Sequence, residues 1–148
     1  DDLDLVLVGP AGWGDDAAER ELLARLGDRV HVTGRLDDDE LAAAYSGARA
    51  FAFPSIWEGF GLPVLEAMAY GAPVVTSSGT CMAEVTGDVG LLADPASPRE
   101  IADRLAEAVG PAHDELALAS RERARTFTWS ACAAAHTEVY HALIGGAV

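Results

Sequence analysis

Short β-like runs and helical patterns alternate along the whole chain, and this alternation constrains the fold more than any other feature. "LDLVLVG" (Leu3 to Gly9) reads as a buried strand. Asp15 to Leu26 reads as a helix, with Asp16 as N-cap and Glu19 as its capping-box partner. "RVHVTG" reads as a strand, "DDDELAAAYSGA" as a helix ending near Gly47, and "AFAFPS" as a strand that stops at Pro54. Leu62 to Tyr70 is a further helix, with Pro63 near its first position and Gly71 beyond its end. "APVVTS" is a strand, Cys81 to Val85 a short turn, and "GLLAD" another strand. Helices follow over Pro98 to Val109, Asp114 to Arg125 and Trp129 to Leu143. Strands that alternate with helices predict a parallel sheet covered on both faces, an α/β doubly wound class. The 148 residues suffice for one domain with a core. Ligands of such sheets bind beyond the C-terminal strand ends, so the loops of interest are "GPAGWGDD", "TGRLDDD", "PSIWEGFGLP" and "TSSGTC".

Composition narrows the partners. The formal net charge of −14 repels phosphate backbones and disfavours both nucleic acid and an anionic membrane surface. No apolar run approaches a membrane span, and no signal-peptide pattern opens the sequence. The two cysteines, Cys81 and Cys132, make no disulfide framework, which fits a reducing cytoplasm. The chain contains no lysine, so a bound phosphate would rely on arginine or on backbone N–H groups.

"PSIWEGFGLPVLEAMAYGAPVV" (Pro54 to Val75) holds the most chemistry. Gly59 and Gly61 permit a tight bend and a close approach of ligand to main chain. The N–H groups of Phe60, Gly61 and Leu62 lie at or before the first helical turn, where they lack intrahelical acceptors. With the helix dipole they form an anion site suited to a phosphate or diphosphate. Glu58 precedes the bend and Glu66 follows it. A carboxylate accepts two hydrogen bonds side by side and so matches a vicinal diol, which ribose and hexoses both carry. A plainer account of the same residues also stands: Glu66 in a first helical turn is favoured by the dipole alone, and Glu58 is an ordinary loop carboxylate.

The full string resembles the signature of the retaining glycosyltransferases with the GT-B fold, family 4 (glycosyltransferase group 1). The resemblance rests on the pair Glu58 and Glu66 within "PSIWEGFGLPVLEAMAYGAPVV". It extends through "LVLVGP", "VHVTGRLDDDELAAAYSGA", "EVTGDVGLLADP" and "FTWSACAAAHTEVY", and covers nearly all of the chain in order. It implies that residues 1–148 are the C-terminal, Rossmann-like, donor-binding domain. By resemblance, Glu58 contacts the donor sugar and stabilises its reacting end, and Glu66 holds the ribose diol. Phe60, Gly61 and Leu62 receive sugar and diphosphate. Gly34, Arg35 and Leu36 line the base, and Gly9 and Pro10 sit beside the donor. The donor is a nucleotide diphosphate-sugar, with no metal or other cofactor required. The acceptor would be a sugar, lipid or small molecule bound by an N-terminal domain that this sequence lacks.

The family pattern usually places a strand ending in Gly-Arg, and then a Lys, before "LVLVG". Those cations neutralise the diphosphate, and neither is present here. Arg35 is the only arginine in an expected strand-end loop, set against its reading as a surface residue paired with Asp37. On this view "LDLVLVG" is the second strand of the sheet and lacks its neighbour. The expectation is an open groove beside Leu5 and Val8, or one filled by a second copy through strand exchange in a homodimer. Half a cleft would recognise donor and transfer little by itself.

Other patterns in the sequence carry plainer readings. "DDDE" contains Asp-x-Asp, a metal-binding pattern in the other glycosyltransferase fold, but Asp37 and Glu40 are spaced as a capping box. Gly9, Gly12 and Gly14 do not form a dinucleotide fingerprint, and Trp13 reads as cover for the sheet edge. The histidines show no ligand spacing. Cys81 lacks an adjacent base, and Ser77 and Ser78 lack the glycines of a nucleophile elbow. Met68, with Leu65 and Ala69, is core at helical spacing. Two alternatives to a sugar transferase remain on the residues alone: a non-catalytic binding or partner subunit, and a nucleotide-sugar epimerase of related fold.

Overall fold

A computed structural model describes residues 3–10 and 16–145. The expected loop around Gly12 and Trp13, and the side chains of the expected Asp16–Glu19 cap, lie outside the described residues. The chain divides into two compact units, Asp1–Ala43 and Ala44–Val148.

The first unit contains β1 (Leu5–Val8), α1 (Asp16–Leu26), β2 (Val30–Gly34) and the start of α2 (Asp38–Gly47). β1 and β2 pair in parallel, Leu5 opposite Val30 and Leu7 opposite Val32, with an irregularity between Leu7 and Val8. Asp4 accepts from Arg29 Nε at 3.2 Å and lies 3.1 Å from His31 Nε2. These contacts hold its carboxyl below the usual range, with His31 first and Arg29 second as causes. The expected buried strand is instead exposed: Leu5 is 47% and Val8 46% accessible. The reason lies in its neighbours. β1 pairs with β2 alone among the described residues, and a two-stranded sheet has no central strand. An open apolar groove lined by Leu3, Leu5, Leu26, Arg29 and Val30 runs beside it.

The capping box before α2 forms as its spacing requires. The Glu40 amide donates to Asp37 Oδ1 at 2.9 Å, and the Asp37 amide donates to Glu40 Oε2 at 3.0 Å. Asp37→Ala should lower stability by about 1 kcal/mol, and Asp37→Asn by much less, in paired urea melts.

The second unit carries the core. β3 (Phe51–Phe53), β4 (Val74–Ser77) and β5 (Leu91–Ala93) form a parallel sheet in that order, so β4 is central and buried along its length. Around it lie α3 (Leu62–Tyr70), α4 (Cys81–Thr86), α5 (Pro98–Ala108) and α6 (His113–Ala124), and α7 (Trp129–Gly145) follows in the chain. Val75, Leu91 and Ala108 pack with Ile101, Leu105 and Leu116, while Val64, Met68 and Met82 are fully buried. The expected turn at Cys81 is the short helix α4, because Met82, Val85 and Thr86 turn inward at helical spacing.

Two arginines of α6 close the ends of other helices. Arg121 donates to the Tyr70 carbonyl at the end of α3, 3.1 Å from Nη2. Arg123 donates to the carbonyls of Val85 and Glu84 at the end of α4, at 3.0 and 2.7 Å. Both place a cation where the helix dipole is negative. Thr128 precedes α7 and its hydroxyl accepts from the Ala131 amide at 3.1 Å; none of the described residues of α7 is buried. Both units are parallel α/β, as the alternation in the sequence requires. Among the described residues no helix is long and apolar enough to cross a membrane.

Candidate donor site

α3 begins at a bend that only glycine can make comfortably. Gly61 is its N-cap with φ +90°, and it offers no side-chain cap. A Cβ on Gly61 would stand 2.6 Å from Met82 Cγ, so the bend is seated directly on the core. The Gly61 carbonyl accepts from the amides of Val64 and Leu65, at 3.0 and 3.3 Å. Pro63 brings no N–H, and among the described residues no acceptor meets the N–H groups of Phe60, Gly61 or Leu62. The Phe60 ring stands edge-on to Phe127 at 6.1 Å between centroids, and Phe127 in turn lies under Arg123 at 4.9 Å.

Glu58 is half-buried before this bend, and its carboxylate meets no partner among the described residues. The strand-to-helix segment that carries it is tied at three carbonyls by side chains from β4 and α4. Thr76 Oγ1 donates to Phe53 O at 2.8 Å, Ser77 Oγ to Ser55 O at 2.7 Å, and Cys81 Sγ to Glu58 O at 3.2 Å. The Thr80 hydroxyl donates to Ser77 O at 3.0 Å and braces the following turn. Sequence reasoning had set Ser77 and Cys81 aside as non-nucleophilic. Their task is to hold main chain, and the available signal was a run of small polar side chains at a strand end beside an irregular loop. Between these anchors Ile56 and Trp57 project outward, Trp57 with 88% of its surface exposed.

α3 begins at Leu62 as expected, and Glu66 lies past its first turn, not within it as the sequence reading had it. The dipole therefore does little for it, and the plain explanation of its presence weakens. Its Oε2 accepts a hydrogen bond from Tyr45 Oη at 3.1 Å, a partner the sequence did not disclose.

In the first unit the structure joins the two remaining loops. The Gly9 amide donates to the Gly34 carbonyl at 2.9 Å, which brings Gly9 and Pro10 beside Gly34, Arg35 and Leu36. Gly9 and Gly34 have φ of +135° and +69°. Arg35 is exposed and has no ion pair with Asp37, whose carboxylate is engaged by Glu40. Among the described residues no group of three or more His, Cys, Asp and Glu side chains is arranged to hold a metal.

The second unit is thus a parallel α/β domain that sets an open helix N-terminus, with its amide donors, between two carboxylates at the strand ends. The profile of the family described as "Glycosyl transferases group 1" matches residues 1–110, and the chain belongs to that family. It is 38% identical over 144 residues to the O-antigen chain mannosyltransferase B of Escherichia coli, covering 94% of this chain. Among solved structures, sucrose-phosphate synthase from Thermosynechococcus elongatus superposes with a TM-score of 0.76 at 31% identity, over 97% of this chain and 39% of that one. The Anabaena protein HepE, solved in complex with UDP-glucose, superposes with a TM-score of 0.67 at 25% identity, over 82% of this chain and 35% of that one. The chain spans about a third of the length of the curated relatives it matches, 37% of the E. coli enzyme.

Proposed function

We propose that this chain binds the donor of a retaining sugar transferase of family 4 type, which moves a hexose-like sugar from a nucleotide diphosphate-sugar to an acceptor hydroxyl. The observation that carries this reading is the α3 N-terminus: amides without acceptors, with Glu58 on one side and Glu66 on the other. The amides and dipole receive the diphosphate. Glu58 takes the hydroxyls of the sugar and stabilises its reacting end, and Glu66 takes the ribose diol. The names of the relatives support sugar transfer, and the UDP-glucose complex of HepE supports a nucleotide-sugar as donor class. In the reaction the bond from the anomeric carbon to the diphosphate breaks. The acceptor oxygen then bonds to that carbon on the same face while its hydroxyl proton passes to the departing diphosphate, whose remaining charge the helix N-terminus stabilises.

The test is a titration of the chain with GDP-, UDP- and ADP-sugars, with and without EDTA, followed by transfer assays on the full-length protein. At least one nucleotide-sugar should bind, with an affinity that EDTA leaves unchanged, because backbone amides and dipole do the work a divalent ion would do. Binding of none of them contradicts the donor reading. A large loss with EDTA restores Asp37 to Asp39 as a metal site.

A further inference from the structure

We propose that Tyr45 is a positioning residue of the donor site: its phenol hydroxyl fixes the Glu66 carboxylate in the orientation that receives the ribose diol. The inference rests on the donor reading above and adds a residue to it. Glu66 is exposed and on a long side chain, so without a restraint its carboxylate would sample several rotamers. Tyr45 is the opposite, 6% exposed and held on two sides. Its ring meets Phe51 edge-on at 5.4 Å and stacks on Tyr70 at 5.9 Å with 19° between planes. The buried ring thus presents one fixed donor at the surface, and that donor reaches Glu66 Oε2 at 3.1 Å. Burial, reinforced by the Glu66 charge and the hydrogen bond, pushes the phenol well above the usual tyrosine range, so it remains a donor across the working pH. One accepted hydrogen bond leaves the carboxylate further lone pairs, enough for two hydroxyls of a diol. Restraining the carboxylate beforehand removes an ordering cost that binding would otherwise carry.

The alternative is that Tyr45 is a core aromatic whose hydroxyl merely found a partner. Tyr45→Phe separates the two, since it keeps both ring contacts and deletes the donor. The probes are uridine, guanosine and adenosine diphosphates, each beside its dideoxyribose analogue, titrated into wild type, Tyr45→Phe, Glu66→Ala and the double variant. Wild type should prefer the ribose form. Tyr45→Phe should weaken the ribose nucleotide by about 3- to 10-fold and leave the dideoxy analogue unchanged. In the Glu66→Ala background, Tyr45→Phe should add nothing to the loss. Equal losses on both nucleotides, or none on the ribose form while wild type still prefers it, overturn the positioning role and leave the donor reading standing. No nucleotide binding by a folded wild type overturns both. Equal binding of ribose and dideoxy forms by wild type shows that Glu66 reads no diol, and removes the role proposed for Tyr45.

Discussion

Replacing Gly61 by alanine is expected to destabilise the protein by about 2–5 kcal/mol, the sum of a left-handed backbone cost and an overpacking cost. The first arises because φ at Gly61 is +90°, where a Cβ crowds its own carbonyl. The second arises because that Cβ would lie 2.6 Å from Met82 Cγ. Met82 has little room to yield: it is fully buried, and its Sδ lies 3.2 Å from the Thr76 hydroxyl that holds the Phe53 carbonyl. A shift of Met82 therefore disturbs the segment that carries Glu58. Gly59→Ala is the internal control, since a Cβ there meets nothing within 4 Å. In urea unfolding the midpoint should fall sharply for Gly61→Ala and hardly at all for Gly59→Ala. Equal shifts for the two would mean that the bend is not anchored on the core.

The contrast between these glycines bears on how much the sequence disclosed. Local punctuation was legible. Pro63 and Gly71 bracket α3 at Leu62–Tyr70, and Asp37 with Glu40 marks the start of α2; both signals act within a few residues. The strands β1 to β5 of the described residues were legible as apolar runs between turn residues. Burial was legible only in part, because an apolar run reports what a strand could bury and not what surrounds it; the open groove beside Leu5 was expected from the family resemblance, not from the run. "LVLV" of β1 and "VVTS" of β4 read alike, yet β4 lies between two strands and β1 beside one. Likewise "CMAEV" carries no cap signal strong enough to announce a helix, and only the inward turn of Met82 and Val85 makes α4 one.

The same division holds at the candidate site. Glu58, Glu66 and the open amides were visible because they lie within one short stretch. Their supports were not, because each comes from elsewhere in the chain: Tyr45 to Glu66, Ser77 to Ser55, Cys81 to Glu58. Tertiary pairing of small polar side chains with main chain leaves almost no trace in a single sequence. The helix bounds at Leu62 and Tyr70 were legible, yet Glu66 was read into the first turn although it is the fifth residue from Leu62.

The second large effect concerns the two glutamates themselves. If Glu66 takes the ribose diol as proposed, Glu66→Ala should weaken a nucleoside diphosphate and the corresponding nucleotide-sugar alike, since both carry the ribose. If the half-buried Glu58 takes the sugar, Glu58→Ala should weaken the nucleotide-sugar and spare the bare diphosphate. Each charged hydrogen bond lost is worth about 1.5–3 kcal/mol, or roughly a 10- to 150-fold loss of affinity. Glu58→Ala should leave the fold unchanged, since its carboxylate has no partner among the described residues, while Glu66→Ala removes the acceptor of the Tyr45 hydroxyl and should cost about 1–3 kcal/mol, which melting curves measure as the control. Calorimetric titration of both ligands into wild type and the two variants tests the donor site most directly. The account predicts a loss on both ligands for Glu66→Ala and on the sugar-bearing ligand alone for Glu58→Ala; equal losses on both ligands for both variants, or none for either, would contradict it.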